Sequence, residues 1–494
     1  MAALYIAVIY LAVLLLTGRL LHQKVKAIKS PLSRIPGPWY GPLTTLHLRW
    51  LFSTGEIWKL VERSHAKYGP IVRLGPRQVW ISDKVALKKI LVKNDLPKVA
   101  MYAEISRDKF SPGLFGEIRH DPHKRLKRFL SPAFTVAYID NLETYFKSTI
   151  RDLLDKYQSK IAEDPLAATK NGITIDLMDD LHNVALDILL ANDRGLISMG
   201  ECSFGKGFGQ TNPNTLIEDG VDERVWNQIP RSIFDGLSKR YQTVYVKKFL
   251  RKLGLDIQFD WPAEMIICER RDLLQHLIEE GKKPDTGTAM STRDIVDQMA
   301  EILLAGSETT SGTLGCLFLE LARTPAARAK LMASLKPKPF NDTDDDDTAI
   351  VSSKTVRTDA EYEYLEACIK ENLRLHPIAS EMGRRTGNQW VELMGYSLPP
   401  HTVVSASYRD LHRNEKYWPQ AERFWPERWL PEEKRDGAPA PDFAWAEMRM
   451  VAANILSRFD IVEVPGQEID FRQYITMQFA TGHWKVTLKP RVQK

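Results

Sequence analysis

Residues Glu361–Pro377 read E-Y-E-Y-L-E-A-C-I-K-E-N-L-R-L-H-P, and this stretch decides the fold. Leu365, Ile369 and Leu373 recur at helical spacing, so the segment is expected to be a helix with one apolar face. Pro377 has no N–H to continue the ladder and disfavours the helical conformation at His376, which places the stop there. Glu371 and Arg374 stand three apart and share one face, flanked by apolar residues. Buried together, the two charges must pair. An ordinary surface ion pair would leave the same four-letter pattern. Downstream, W-P-Q-A-E-R-F-W-P-E-R-W at Trp418–Trp429 supplies Arg428 on an aromatic-rich turn. Its planar fork can share the Glu371 carboxylate and close a triad.

The 494 residues are 44% hydrophobic, enough for a large core. Charged residues make up 27% and the net charge is +5, a balance that does not point to nucleic acid. The four cysteines, Cys202, Cys268, Cys316 and Cys368, are scattered, with neither a disulfide nor a zinc spacing.

Ala2–Leu21 is almost wholly apolar and just long enough to span a bilayer. No charge precedes it and no small-x-small cleavage site follows, so an anchor is expected over a signal peptide. Arg19, Lys24, Lys26, Lys29 and Arg34 come after it, which puts the remaining chain in the cytosol. Pro31–Pro42 then forms a stiff proline-rich joint. Tyr68–Ser82 reads as a β-hairpin around Gly75-Pro76. His120–Ala133 is a strongly basic helix, either a solvated face or a docking surface for an acidic partner. Ile175–Leu190 reads as a helix, Ala191–Gly200 has loop chemistry, and Phe208–Glu264 is a loop followed by helices. The acidic run Asn341–Asp347 is expected to be exposed, and its formal glycosylation sequon at Asn341 would be idle in the cytosol.

Ser291–Ala333 contains a long helix with A-E-I-L-L-A-G-S-E-T-T-S-G-T-L at Ala300–Leu314. Thr309 lies four residues after Ala305, so its hydroxyl can bond back to that carbonyl and open a small groove. A glycine where another helix crosses would give the same sequence.

Together these stretches resemble the cytochrome P-450 family, in its fungal membrane-bound form. The resemblance is carried by Glu371-x-x-Arg374, by Phe424-x-Pro426-Glu427-Arg428-Trp429, and by Ala305, Gly306, Glu308, Thr309 and Thr310, in the family's order. It implies a mainly α fold with a small β region, preceded by one transmembrane helix. The implied division is an anchor at 1–22, a hinge at 23–42 and a catalytic body at 43–494. It further implies haem, electrons from NADPH through a separate reductase, a lipophilic small-molecule substrate, and monooxygenation in fungal secondary metabolism at the endoplasmic reticulum membrane. Glu308 and Thr309 take the family's proton-delivery places, beside an oxygen groove of Ala305, Gly306 and Thr310. His123 with Lys127 or Arg128 takes the place beside the haem propionates. Ala191–Gly200 interrupts two pieces that the family runs together and reads as an insertion.

One piece of the family pattern is missing. A haem-thiolate enzyme takes a cysteine sulfur on the iron, from a loop of the form Phe-x-x-Gly-x-Arg-x-Cys-x-Gly. Here Trp429 is followed by L-P-E-E-K-R-D-G-A-P-A-P-D and then by F-A-W-A-E-M-R-M-V-A-A-N-I-L-S-R-F-D at Phe443–Asp460, which resembles the helix after that cysteine. No cysteine occurs from Leu430 to Lys494. Cys316 and Cys368 fall on helices and read as core residues, and His483 sits in an expected terminal hairpin. The chain as written is therefore expected to lack thiolate-ligated haem and to be inactive. A mis-joined or alternative transcript, a haem-free ligand- or partner-binding protein, and a chain that does not fold without haem are the other readings.

Overall fold

The computed structural model describes residues 2–104, 112–131, 142–163, 172–190, 211, 288–338, 349–430 and 443–491. The segments 191–200 and 341–347, and all of 208–264 but Thr211, lie outside these residues, as do Cys202 and Cys268.

The core gathers around the helix Thr292–Arg323. Its start is fixed by a capping box: the Asp294 N–H donates to Ser291 Oγ, and the Ser291 N–H donates to Asp294 Oδ2 at 2.7 Å. The long helix expected within Ser291–Ala333 is present; it ends at Arg323, and a second runs Pro325–Ser334, because Pro325 cannot donate to the first ladder. Leu314, Leu317 and Phe318 from the long helix pack with Leu181, Val184 and Ile188 of the helix Leu177–Leu190. A Cβ on Gly315 would stand 2.3 Å from Met178 Sδ, so this crossing needs glycine. Leu365 and Ile369 of the helix Glu363–Leu375 join the same cluster. So do Met450, Val451 and Ile455 of the helix Phe443–Arg458, whose residues from Trp445 on are buried all round. Each such aliphatic side chain contributes about 1.5–3 kcal/mol when fully buried.

The main sheet runs β1 (Ile71–Gly75), β2 (Gln78–Ile81), β7 (Val403–Ser407) and β4 (Glu381–Arg385). The expected hairpin is present, with Val72 opposite Trp80. Strand β2 then pairs in parallel with β7, Trp80 beside Ser405. A second sheet holds β3 (Ile173–Asp176), β11 (Lys485–Pro490) and β8 (Phe459–Glu463). This corrects two expectations. Ile175 and Asp176 belong to a strand, since alternating I-T-I-D pairs with β11, and the helix begins at Leu177. Phe459 and Asp460 likewise leave the preceding helix for β8. The C-terminal hairpin is β9 (Phe471–Gln473) with β10 (Met477–Phe479), while β11 crosses to the other sheet. His483 therefore lies in a turn between two sheets.

The basic helix spans His120–Leu130. At the N-terminus one helix runs Ala2–Ile28, past the expected boundary at residue 22, and the single turn Pro31–Arg34 follows. Among the described residues no helix is long and apolar enough to cross a membrane. The side chains at 2–9, 12, 13, 16 and 20 lie outside that set. The expected transmembrane span is thus unsupported by the described residues.

Candidate functional site

Glu371 is fully buried, and its carboxylate collects five donors. Arg374, one turn along the same helix, gives Nε to Oε2 at 2.9 Å and Nη2 to Oε1 at 2.8 Å. Arg428, on the 3-10 turn Pro426–Trp429, gives Nε to Oε1 at 3.1 Å. The Trp425 backbone N–H reaches Oε1 at 2.9 Å, and the Trp429 indole N–H reaches Oε2 at 2.9 Å. These charge-assisted bonds offset the cost of burying the carboxylate. Arg374 also donates to the carbonyls of His412 at 2.6 Å, Ala421 at 2.7 Å and Arg423 at 3.1 Å. Arg428 donates to the Pro419 carbonyl at 3.1 Å. One carboxylate thus clamps the irregular segment 412–429 against the helix. Helical spacing finds Glu371 and Arg374, and the aromatic-rich turn offers Arg428; the two tryptophan donors escape both, although the repeated W-P-E-R-W aromatics are the signal.

On the long helix, Thr309 Oγ1 donates to the Ala305 carbonyl at 2.7 Å, the back-bond expected from their spacing. Ser311 does the same to Ser307, and Thr313 to Thr309, each at 2.7 Å. Asn372 Nδ2 donates to the Thr313 carbonyl at 2.8 Å, which ties this helix to the triad helix. Ala305 is exposed and Gly306 and Thr309 are half-buried, so the helix opens onto free space at this turn. Glu308 is buried and points elsewhere. Its Oε2 accepts from Gln478 Nε2, and its Oε1 lies 3.7 Å from His182 Nδ1. Consecutive helical positions diverge by about 100°, which separates Glu308 from the Thr309 hydroxyl. Thr310 is buried beside Glu447.

Glu447, on the helix Phe443–Arg458, is fully buried and neither carboxyl oxygen reaches a hydrogen-bond donor among the described residues. Burial pushes its carboxyl well above the usual range, against a smaller opposing effect of the Thr310 hydroxyl. No sequence signal singled it out, because it sits among apolar neighbours at an ordinary helical position.

The basic residues separate into two groups. His123 is half-buried; burial, then Lys98, Lys127 and Arg384, push it down to about 4. Lys98 is pushed down to about 8, by burial first and Arg384 next, and its Nζ donates to the carbonyls of Leu114 and Phe115 at 3.1 and 3.0 Å. A backbone bridge joins Lys98 to Arg384. The cluster is therefore Lys98, His123, Lys127 and Arg384, while Arg128 is exposed and takes no part in these shifts. Lys98 and Arg384 were missed because they lie far from the basic helix in sequence. Beside them, Glu301 of the long helix accepts the Phe115 and Gly116 N–H groups at 2.8 and 3.2 Å. It pins the loop whose carbonyls accept from Lys98.

Crowded, partly buried cations suit the two carboxylates of a haem. The axial side does not suit it. Cys316 and Cys368 are 1% and 0% exposed within the core. Burial raises both thiols far above their ordinary range, the reverse of what a thiolate donor needs. The His483 ring is exposed, with Nδ1 2.5 Å from Asp176 Oδ2. No group of three or more His, Cys, Asp or Glu among the described residues could hold a metal ion. The described donors do not fit a thiolate-ligated haem.

The sequence is similar to those of known proteins along most of its length. A cytochrome P-450 monooxygenase, acrD, of Aspergillus aculeatus is 28% identical over 492 residues, covering 92% of this chain and 91% of its own. The cytochrome P-450 monooxygenase FUS8 of Gibberella moniliformis is 27% identical, covering 94% and 89%. LUC2 of a Fusarium species, another cytochrome P-450 monooxygenase, is 26% identical, covering 95% and 90%. The cytochrome P-450 family model matches residues 35–441, and it stops just before the buried helix that begins at Phe443. That match spans most of the chain, and the chain belongs to the cytochrome P-450 family.

Proposed function

We propose that this chain is a fungal secondary-metabolite monooxygenase homologue which, as its sequence stands, forms no thiolate-ligated haem and is catalytically inactive. One observation carries the reading: Leu430–Lys494 contains no cysteine, while the described cysteines are sealed in the core. Family membership implies haem, a reductase partner and a lipophilic substrate; the basic helix His120–Leu130 offers a surface that would steer an acidic reductase. The apolar run Ala2–Leu21, followed by basic residues, supports attachment to the endoplasmic reticulum membrane with the body in the cytosol. Glu308 and Thr309 hold the family's proton-delivery positions, idle without haem.

The test is the carbon monoxide difference spectrum of the reduced, purified full-length chain with haem supplied. No thiolate-type Soret band is expected, and its appearance overturns the reading. A second reading is favoured by the local nature of the departure, since the helix after Trp429 and the turn before it are both intact. On that reading the active protein comes from a transcript that retains the cysteine loop. Transcript sequence across Trp429–Phe443 decides between the two.

A further inference from the structure

A cavity of about 910 Å³ lies where the end of the first helix meets the sheet, and its wall is basic. His22 and Lys26 line it from the helix, Lys29 from just past its end, Arg73 and Arg77 from the first hairpin, and His401 from the opposite turn. Among the described residues no Asp or Glu lines it. Arg73 is 2% exposed; its Nε donates to the Gly75 carbonyl at 3.3 Å and its Nη2 to the Pro76 carbonyl at 2.8 Å. No carboxylate among the described residues pairs with it, and burial alone pushes its pKa down. A buried guanidinium beside a cavity, its charge uncompensated by protein, calls for an anion from outside. Arg77 Nη1 donates to the Pro400 carbonyl at 3.2 Å, which fastens the rim. Trp390, 57% exposed, stands at the wall, and Trp39 is 81% exposed nearby in the hinge. Exposed tryptophans beside lysines are the residues of a membrane interface.

We propose that this cavity holds the phosphate headgroup of an anionic phospholipid, with Arg73 at its floor and Lys26, Lys29 and Arg77 at its rim. The proposal rests on reading the first helix as membrane-attached, since that places its basic end at headgroup level. The lipid phosphate supplies the counter-charge that the protein withholds from Arg73, and the hinge is thereby fixed against the sheet.

The test uses the full-length chain in neutral detergent, with native mass spectrometry of added dioctanoyl phosphatidylserine, dioctanoyl phosphatidylcholine and inorganic phosphate. One phosphatidylserine is expected to bind at least tenfold more tightly than phosphatidylcholine. Arg73→Gln should lose that preference. The combined Lys26→Gln, Lys29→Gln, Arg77→Gln variant changes only exposed side chains and should lose it too, which guards against misfolding of the first variant. Undiminished binding to the combined variant overturns the proposal, as does equal binding of phosphatidylcholine. Inorganic phosphate displacing the lipid at equal concentration overturns it in favour of a free anion. Alkaline carbonate extraction of membranes, run separately, reports on attachment alone. A chain released by carbonate that still selects phosphatidylserine refutes the anchor and keeps the site.

Discussion

Glu371→Gln removes one negative charge without changing the size of the side chain. The guanidinium-bearing side chains it serves are 2% and 4% exposed, so water cannot replace the lost anion. The new amide also presents N–H groups to donors. Breaking a buried pair from one side costs about 3–5 kcal/mol, against a typical total stability of about 5–15 kcal/mol. The assay is urea unfolding of the full-length chain in detergent, followed by tryptophan fluorescence, since Trp425 and Trp429 donate directly to the removed group. The midpoint should fall with little change in slope. Lys330→Ala is the internal control. It breaks a surface pair with Glu427 in which the lysine side chain is 59% exposed, and should cost about 0–1 kcal/mol. A Glu371→Gln loss no larger than the control's refutes the clamp.

Glu381 accepts the Trp80 indole N–H at 2.8 Å, and burial, then Asp410, push its carboxyl from 4.5 up to about 8. The folded chain keeps a proton that the unfolded chain releases. This contribution is therefore fully favourable below about pH 4.5 and is lost as pH rises to about 8, by up to about 1.4 kcal/mol per pH unit. Glu381→Gln should flatten the dependence of the urea midpoint across that window; an unchanged slope rejects the assignment. In a Cys202→Ser, Cys268→Ser background, Cys316 and Cys368 should react with Ellman's reagent only on unfolding, and rapid labelling of the native chain would show that they are not sealed. Grafting a loop of the form Phe-x-x-Gly-x-Arg-x-Cys-x-Gly between Trp429 and Phe443 should create a thiolate-type Soret band absent from the parent. A graft that stays silent would show that the scaffold itself cannot accept haem.

What the sequence disclosed was mostly what is written within a few turns of chain. Glu371 with Arg374, and Thr309 with Ala305, are fixed by helical spacing alone, and both bonds are present. Arg428 was offered by its aromatic-rich turn, and spacing alone could not pair it with Glu371, because more than fifty residues, strands β4 and β7 among them, intervene. The misread boundary at 175–176 has a local cause, a strand of alternating residues that also fits a helix. The cation cluster was half legible, since His123 and Lys127 share a helix while Lys98 and Arg384 meet them only through tertiary contacts. The lone acid Glu447 was invisible, because its isolation is a property of the packing around it.

The parallel pairing of β2 with β7 sets a timetable for synthesis. Trp80 cannot meet Glu381 until 301 further residues have been made. At ordinary translation rates of about 5–20 residues per second that is a wait of roughly 15–60 s. Throughout it, the apolar hairpin of Val72, Val79 and Ile81 emerges with no sheet to join. Such an edge is a template for self-association, so the nascent chain should depend on chaperone holding until its last third leaves the ribosome.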